Sequence, residues 1–354
     1  MKLVERFAEN PLIRPEAVKP SRPDLEVTRV FNCGATLYKG RTHLLMRVAE
    51  RPIPEKGYMS TAFLDPRRPG EYTTLRVRLD DPALDLADPR GVFFYKGIPY
   101  LYVVSHLRLA TSDDGHRFKV EDRPAMLPEF DYEVYGVEDP RIVCLDGVYY
   151  INYSAIAPNG VTTALARTTD FKRYEKLGII FAPDNKDIAI FPEKVGGRYM
   201  CFHRTSMKQI GAPSMWLASS DNLLDWGQHH FVMGPRAGKW DSERVGCGAH
   251  PIKTKRGWLE IHHGANQDIR YCCGAMLTDL ERPWIVLARD EEPVLAPSAP
   301  YEMEGFLPNV IFHNGLVQRP DGSVDLYYGG ADTTVCGARM NPDAVLASLT
   351  PVKN

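Results

Sequence analysis

The residues with the clearest potential for chemistry form one run, Tyr135-Gly136-Val137-Glu138-Asp139-Pro140-Arg141, which sets two carboxylates beside an arginine. The apolar residues Ile142 to Leu145 follow directly and predict a strand. Because proline lacks a backbone donor and restricts the residue before it, we expect Asp139 on a tight loop where the strand begins. An acidic group held there suits a general acid, and it equally suits a turn cap. The run alone therefore leaves a catalytic and a structural interpretation open.

A repeating unit along the chain must position these residues. In each unit, a polar turn containing glycine precedes an aromatic-rich strand of alternating pattern, and several units continue with an apolar-Ala-x-Ser/Thr strand and an Asp turn. Turn signals every 8 to 12 positions or so, combined with a repeat of about 50 residues, are typical of propeller blades. We therefore predict an all-β fold, a five-bladed β-propeller formed by residues 1–354 as a single domain, with little helix. The turn glycines, which lie 57, 50, 50, 60 and 65 residues apart, are Gly40, Gly97, Gly147, Gly197, Gly257 and Gly322.

The composition excludes several classes of protein. Because 43 Lys and Arg balance 45 Asp and Glu, we expect no nucleic-acid partner and no attraction to an anionic membrane. No apolar run reaches the roughly 18 residues of a membrane span, and the segment 1–7 lacks a secretory apolar region. We therefore expect a cytoplasmic protein with no membrane association. The 7 cysteines are scattered without paired spacing, which predicts buried thiols rather than a metal site.

Polar residues at the start of successive units would share one central pocket, because the inner strands of a propeller converge on a channel. Taken singly, each cation is more simply a solvated side chain, and only one of His262 and His263 can face the channel. Cations converging in a protein without net basicity nevertheless indicate a bound oxyanion. The repetition of Asp-Pro-Arg at 88–90 also allows a recurring structural turn. The cations are Lys186, Arg204, Arg244 and His263, and the other candidates are Asn32, Arg47, Arg90, Glu138, Asn309, Tyr328 and Asp332.

Motifs in order along most of the chain, from about Asn10 to about Met340, resemble those of glycoside hydrolase family 130. The resemblance implies a five-bladed propeller and inverting phosphorolysis, in which a β-mannoside and inorganic phosphate give α-mannose 1-phosphate and a shortened acceptor. It implies no cofactor or metal, with phosphate as co-substrate, and a homo-oligomer. The motifs are Phe31-Asn32-Cys33-Gly34-Ala35, Glu138-Asp139-Pro140-Arg141, Phe191-Pro192-Glu193-Lys194, Phe202-His203-Arg204, His263-Gly264 and Tyr328-Gly329-Gly330-Ala331-Asp332.

The same resemblance implies roles for individual residues. Asp139 matches the general acid, which is thought to pass its proton through the mannosyl 3-hydroxyl to the glycosidic oxygen. The 4 cations match the phosphate-binding set, although the family often has Arg where this chain has Lys186, and Lys where it has Arg244. Asn32, Arg47 and Asp332 match positions that hold the mannosyl unit. The opening segment, 10–21 with 45–50, resembles the branch that acts on β-1,2-mannobiose and β-1,2-oligomannosides.

The chemistry of the residues agrees with a phosphorylase. An ordinary inverting glycosidase needs a second carboxylate to activate water, whereas phosphate is already an anion and needs only cationic holders. Hydrolases of this family look as though glutamates replace those cations. An inverting β-mannosidase with Glu138 or Glu243 as the base remains an alternative, and a non-catalytic carbohydrate-binding propeller is a second. The acceptor sugar, chain-length preference and physiological direction stay open.

Overall fold

The computed structural model describes residues 2–65, 67–68, 71–86, 91–206 and 210–352. Across these residues nearly all regular structure is strand, which confirms the prediction of an all-β fold with little helix. The helices are the α-helices α1 (Pro300–Met303) and α2 (Pro342–Ser348) and the 3-10 helices Pro15–Ala17 and Asp131–Glu133.

The strands are numbered in chain order. In the first half of the chain they are β1 (Val4–Arg6), β2 (Leu25–Tyr38), β3 (Arg41–Pro52), β4 (Tyr58–Leu64), β5 (Tyr72–Arg78), β6 (Leu84–Asp85), β7 (Val92–Tyr95), β8 (Ile98–Leu101), β9 (Val104–Ser112), β10 (Lys119–Val120), β11 (Gly136–Leu145), β12 (Val148–Ala157) and β13 (Gly160–Thr168). In the second half they are β14 (Glu175–Phe181), β15 (Asn185–Ile190), β16 (Tyr199–Thr205), β17 (Met215–Ser220), β18 (Gly227–Met233), β19 (Arg244–Gly246), β20 (Ile252–Thr254), β21 (Gly257–Ala265), β22 (Tyr271–Thr278), β23 (Val286–Arg289), β24 (Ile311–Gln318), β25 (Val324–Gly330), β26 (Thr334–Met340) and β27 (Thr350–Pro351).

Most of these strands belong to antiparallel groups that succeed one another along the chain. The first group is β2, β3, β9 and β10, the second is β11 to β14, and the third is β15 to β18. The fourth group is β19 to β23 with β27, and the fifth is β24 to β26 with β1. A single parallel pairing, Gly136 with Ser105, joins the first two groups into one sheet.

One predicted repeat has a different place from the others. The turn at Gly97 forms a hairpin as expected, but its strands β7 and β8 form a separate small sheet with β6, inserted between β3 and β9. A second small sheet of β4 and β5 lies in the same insertion. Each of the other turn glycines lies one or two residues before, or at the first residue of, the second or third strand of a group. The sequence period marked hairpins correctly, but it could not distinguish a group from an inserted hairpin.

The apolar core lies between neighbouring groups. Each of the large buried clusters joins side chains of one group to those of the next, and one cluster joins the fifth group back to the first. The N-terminal strand β1 completes the fifth group by pairing with β26. Members of one cluster that come from two groups include Leu45 and Ile151, Val143 and Ile188, Phe202 and Trp258, Leu259 and Leu326, and Val30 and Tyr327.

Candidate active site

The first strands of several groups meet and share an unusual feature. β2 contacts β11 and β24, and β11 contacts β15. The pairing register shifts in β2, β11 and β15, and one shift in each strand holds a residue with positive φ: Asn32 at 44°, Asp139 at 50° and Asp187 at 57°. Asn and Asp tolerate this left-handed conformation better than other residues, and a bulge re-aims a side chain. The three bulges therefore turn three polar side chains out of the normal strand alternation.

This placement corrects one expectation. Asp139 lies inside β11, which begins at Gly136, and not on a loop before the strand. The physical reason is the bulge, since the register shifts between Glu138 and Arg141 and absorbs the proline without ending the strand.

Asp139 is the centre of a buried polar cluster. Its side chain is buried, and its Oδ1 accepts hydrogen bonds from Asn32 Nδ2 at 2.9 Å and Arg47 Nη1 at 3.2 Å. Its Oδ2 faces the other way and lies 3.5 Å from Lys186 Nζ. The two carboxylate oxygens thus meet cations from two different groups. The side-chain oxygen of Asn32, Oδ1, is buried and has no hydrogen-bond partner within the part of the chain that is described.

The carboxylates of Asp139 and Asp332 have opposite pKa shifts. Burial raises the pKa of Asp139, but the charges of Arg47 and Lys186 and the Asn32 hydrogen bond outweigh burial and lower it overall. Burial raises the pKa of Asp332 to about 6, assisted by the charge of Asp139 and opposed by Arg47. In the unliganded site Asp139 is therefore ionised, whereas Asp332 titrates near neutral pH.

Glu138 is tied into the same cluster on the Arg47 side. Its Oε1 accepts a hydrogen bond from Arg47 Nη2 at 2.6 Å and from Ser105 Oγ at 2.9 Å. The side chain is buried. Glu138 therefore holds the guanidinium group of Arg47 in position.

A second buried carboxylate, Asp187, contacts basic residues of the second, third and fourth groups. Its Oδ1 lies 3.1 Å from Arg141 Nη2, and its Oδ2 accepts a hydrogen bond from Arg204 Nε at 2.7 Å and lies 3.5 Å from His263 Nε2. Burial raises the pKa of Asp187, but the charges of Arg204, Lys186 and Arg141 outweigh it and hold the pKa well below its usual range. Neither Asp187 nor Arg141 was among the site residues predicted from the sequence.

Close packing explains how these side chains come together. A Cβ atom on Gly246 would lie 2.6 Å from the ring of His263 and 2.9 Å from Cδ of Arg204. A Cβ on Gly329 would lie 2.2 Å from Oδ1 of Asn32. Such approaches are far shorter than any real Cβ contact, so both glycines are required by space. They let β19 approach the cations and β25 approach the amide.

Arg244 joins the cluster through aromatic side chains. Its Nη1 donates to the hydroxyl of Tyr271 at 2.9 Å, and the rings of Tyr271 and Phe312 surround His263 at centroid distances of 6.0 and 4.5 Å. Burial lowers the pKa of His263 well below its usual value, so its ring is neutral. Neither ring nitrogen has a hydrogen-bond partner among the described residues, and Arg244 Nε also has none.

The structure thus brings most of the sequence candidates together, with specific exceptions. Tyr328 is wrong as a substrate contact: its side chain is fully buried in an apolar cluster, and its hydroxyl donates to Glu302 at 2.7 Å. Strand β25 is covered on both faces, so alternation does not bring Tyr328 to the pocket. Asn309 is half-buried, and its carbonyl accepts from the Tyr271 amide at 3.0 Å, next to Arg244. Arg90 lies outside the described residues.

Among the described residues, no group of three or more His, Cys, Asp or Glu side chains is arranged to hold a metal ion. The search of those residues for a helix long and apolar enough to cross a membrane also finds none. The cysteines are all free thiols, and all but Cys144 are buried, as the scattered spacing predicted.

Sequence comparisons identify related proteins. A family model described as beta-1,4-mannooligosaccharide phosphorylase matches residues 81–350. A beta-1,2-mannobiose phosphorylase of Listeria innocua serovar 6a is 42% identical over 349 residues, which cover 98% of each chain. A 1,2-beta-oligomannan phosphorylase of Thermoanaerobacter sp. strain X514 is 40% identical over 235 residues, which cover 66% of this chain and 77% of that protein.

A structural comparison agrees with these relatives. The solved structure of the beta-1,2-mannobiose phosphorylase from Listeria innocua, in complex with beta-1,2-mannobiose, superposes with a TM-score of 0.93. Its sequence is 41% identical, and the match covers 98% of this chain and 99% of that chain.

Proposed function

Because this chain belongs to glycoside hydrolase family 130, we propose that it is an inverting phosphorylase that cleaves β-1,2-mannobiose and related β-mannosides with inorganic phosphate. The products are α-mannose 1-phosphate and a shortened acceptor. The enzyme is a glycosyl-transferring phosphorylase, as its named relatives are. We also propose a role for each residue of the site, on the basis of its geometry.

The observation that carries the proposal is the position of Asp139 between two sets of cations. Its Oδ1 faces Arg47 and its Oδ2 faces Lys186. Lys186 pairs in register with Arg204, and the next residue, Asp187, contacts both Arg204 and His263. Phosphate held by Lys186, Arg204, Arg244 and His263 would attack the mannosyl C1 while the bond from C1 to the acceptor oxygen breaks. Asp139 supplies the proton to that oxygen, by way of the 3-hydroxyl, and regains a proton from the phosphate ester formed. Asn32, Arg47 and Asp332 hold the mannosyl unit.

Phosphate binding would also prepare the acid. In the unliganded site Lys186 is one of the charges that lower the pKa of Asp139. A bound phosphate dianion would offset that charge and add its own, and both effects favour the protonated carboxyl. Asp139 would therefore gain its proton when the nucleophile arrives. Asp332, whose pKa is raised to about 6, is mostly ionised at pH 7 and would accept a hydrogen bond from a hydroxyl of the sugar.

Hydrolysis is the alternative that the site supports less well. An inverting hydrolase needs a second carboxylate that is free to activate water. Glu138 is engaged by Arg47 and Ser105, so it is poorly suited to that role. Glu243, half-buried beside Arg244, is the remaining candidate base. A non-catalytic binding protein is a poorer explanation, because it would have no need of buried cations around the acid.

We further propose that the strand groups form a five-bladed β-propeller in a single domain. Two observations support this arrangement. The first strands meet, since β2 contacts β11 and β24 and β11 contacts β15 and β24, and the apolar clusters run from group to group until the fifth packs against the first. The homo-oligomer and the cytoplasmic location remain predictions. Light scattering coupled to gel filtration tests the first, and cell fractionation tests the second.

The decisive experiment incubates the protein with β-1,2-mannobiose, with and without inorganic phosphate, and measures α-mannose 1-phosphate and free mannose. We expect sugar phosphate only when phosphate is present, and none from the Asp139→Asn variant. Asp146→Asn is a matched control, because Asp146 also has a positive φ, of 51°, but lies exposed in a hairpin turn. Mannose release at a rate independent of phosphate would establish hydrolysis instead.

A further inference from the structure

The connection from β18 to β19, residues 234–243, leads into the proposed phosphate site and is not part of the mechanism proposed above. It contains neither helix nor strand, and it ends at Arg244, the first residue of β19. β19 is short and pairs with β21, which sets Arg244 opposite Ala265 and Gly246 opposite His263. The position of the connection 234–243 therefore affects how Arg244 lies relative to His263.

Asp241 is the buried charge of this connection. It is 0% exposed, and its carboxylate accepts hydrogen bonds from Arg236 Nε, at 3.2 Å to Oδ1 and 3.0 Å to Oδ2, and from Arg289 Nη2. Both arginines also bind main-chain carbonyls. Arg236 Nη1 donates to the carbonyl of Asp290 at 2.6 Å, and Arg289 Nη1 donates to that of Gly234 at 3.1 Å. Because Arg289 lies on β23 and Arg236 on the connection, these bonds attach the connection to the fourth group.

Trp240 attaches the connection to the same group by packing. Its ring lies nearly parallel to that of His262, at an angle of 16° and a centroid distance of 5.7 Å. Two glycines make room for the ring, since a Cβ atom on Gly264 would lie 2.6 Å from its Cζ3, and one on Gly274 would lie 2.6 Å from its Cζ2. His262 thus faces Trp240, and strand alternation turns His263 to the other face of β21. Because Gly264 directly follows His263, the packing reaches the backbone next to a proposed phosphate ligand.

Stability alone is a poor explanation for the buried ion pairs of Asp241. The cost of removing these charges from water offsets much of their attraction, and apolar residues of similar volume often stabilise a fold as well or better. Bonds between arginine and carboxylate do supply a defined geometry, because their directions are fixed. Arg244 needs such support from its backbone, since its side chain makes one hydrogen bond within the part of the chain that is described, to Tyr271.

We propose that Asp241 is a positioning residue for the phosphate site: with Arg236 and Arg289 it fixes the connection 234–243, so that Arg244 is held beside His263. The proposal rests on the phosphorylase function stated above and concerns the binding of the nucleophile. Asp241 acts through Arg244 and not by contact with phosphate. Its loss should therefore weaken phosphate binding and leave mannoside binding unchanged.

The test measures the dissociation constant of inorganic phosphate by calorimetry, together with KM for phosphate and for β-1,2-mannobiose in phosphorolysis. We expect Asp241→Asn to raise both constants for phosphate by about tenfold, and KM for the mannoside to stay within about twofold. Asp325→Asn is the matched control. Asp325 is likewise 0% exposed and accepts from two arginines, Arg319 at 2.6 Å and Arg339 at 2.8 Å, but it lies on β25 in the fifth group. The control should destabilise the fold to a similar extent without changing the affinity for phosphate.

A double-mutant cycle with Arg244→Gln distinguishes positioning from a general loosening of the fold. If Asp241 acts through Arg244, adding Asp241→Asn to the Arg244→Gln variant should weaken phosphate binding further by less than about twofold. Independent effects would multiply instead, and that result would overturn the proposal.

Unchanged phosphate constants in Asp241→Asn would also overturn the proposal, as would an equal loss of phosphate affinity in Asp325→Asn or an equal rise in KM for the mannoside. Should Asp241→Asn fail to fold, Arg236→Gln decides the question, because the Arg236 side chain is 22% exposed and its loss removes one side of the attachment. We then expect the phosphate constants to rise about threefold or more, and unchanged constants would contradict the proposal.

Calorimetry also separates this proposal from the proposed function. If no protein makes sugar phosphate but the phosphate affinities follow the expected pattern, the positioning role stands and the phosphorylase assignment falls. If sugar phosphate forms but Asp241→Asn binds phosphate normally, the assignment stands and the positioning role falls. An unmodified protein that binds no phosphate would overturn both.

Discussion

Replacing Asp187 by Asn should damage both the stability of the fold and the binding of phosphate. This carboxylate is buried between two guanidinium groups, at 2.7 Å from Arg204 and 3.1 Å from Arg141. At an effective dielectric constant of about 20, these distances correspond to gross attractions on the order of 6 and 5 kcal/mol. Desolvation offsets much of this sum, and removing one partner of a buried pair typically costs about 3 to 5 kcal/mol. Because two arginines lose their counter-charge together, we expect a value near the top of that range.

The assay is denaturant unfolding of the two proteins, combined with KM for phosphate. We expect a lower apparent free energy of unfolding and a KM for phosphate raised by about tenfold or more, because Arg204 and His263 lose the group that orients them. Asp80→Asn is the control, since Asp80 pairs with Arg78 at 2.7 Å but both are exposed, and it should leave the denaturation midpoint unchanged. Equal midpoints for the Asp187→Asn variant and the unmodified protein would refute the reasoning.

Further predictions follow from the same geometry. Lys186→Gln removes one of the charges that lower the pKa of Asp139, so the limb of the pH profile that reports this acid should move to higher pH. Its KM for phosphate should also rise, by about tenfold or more, and an unchanged KM would exclude Lys186 from the phosphate site. Gly329→Ala pushes against Oδ1 of Asn32, so KM for the mannoside should rise while KM for phosphate changes little. Gly227→Ala is the control, because Gly227 likewise has no positive φ and a Cβ there would meet nothing within 4 Å. The lowered pKa values of Asp139 and Asp187 stabilise the fold above their unfolded value of about 4 and cease to do so as pH falls through the folded values. The melting temperature should therefore decrease as the pH is lowered below about 4, and the decrease should be smaller in Asp187→Asn. Parallel plots of melting temperature against pH for the two proteins would contradict this account.

Much of the site was accessible from sequence because its residues recur at the start of successive hairpin units. Lys186 and Arg204 lie on neighbouring strands of one hairpin and pair directly in register, so a correct hairpin prediction brings them together. Asn32 and Asp139 come from different groups, and only the propeller prediction could bring them near each other. Their contact at 2.9 Å agrees with it.

The remainder depended on features that a sequence pattern does not contain. Alternation assumes a regular strand, but bulges at Asn32, Asp139 and Asp187 change which side chains face inward. From the sequence, Asp187 was therefore only a neighbour of Lys186, and its contacts with the basic side chains around it were not predicted. Tyr328 misled for the opposite reason, because its strand is buried on both faces and a buried tyrosine needs a hydroxyl partner, here Glu302.

The N-terminal strand β1 affects both the folding of the protein and its aggregation after proteolysis. β1 pairs Val4 with Met340, so the fifth group is completed by residues from both ends of the chain. Arg6 adds a bond to Glu302, the same carboxylate that receives the Tyr328 hydroxyl. During synthesis, β1 emerges long before β26, so it must wait before the two strands can pair. A protease that removes this short strand would leave β26 with an open row of backbone donors and acceptors, and such an edge recruits strands from other chains. We therefore expect the protein to aggregate after proteolytic removal of β1.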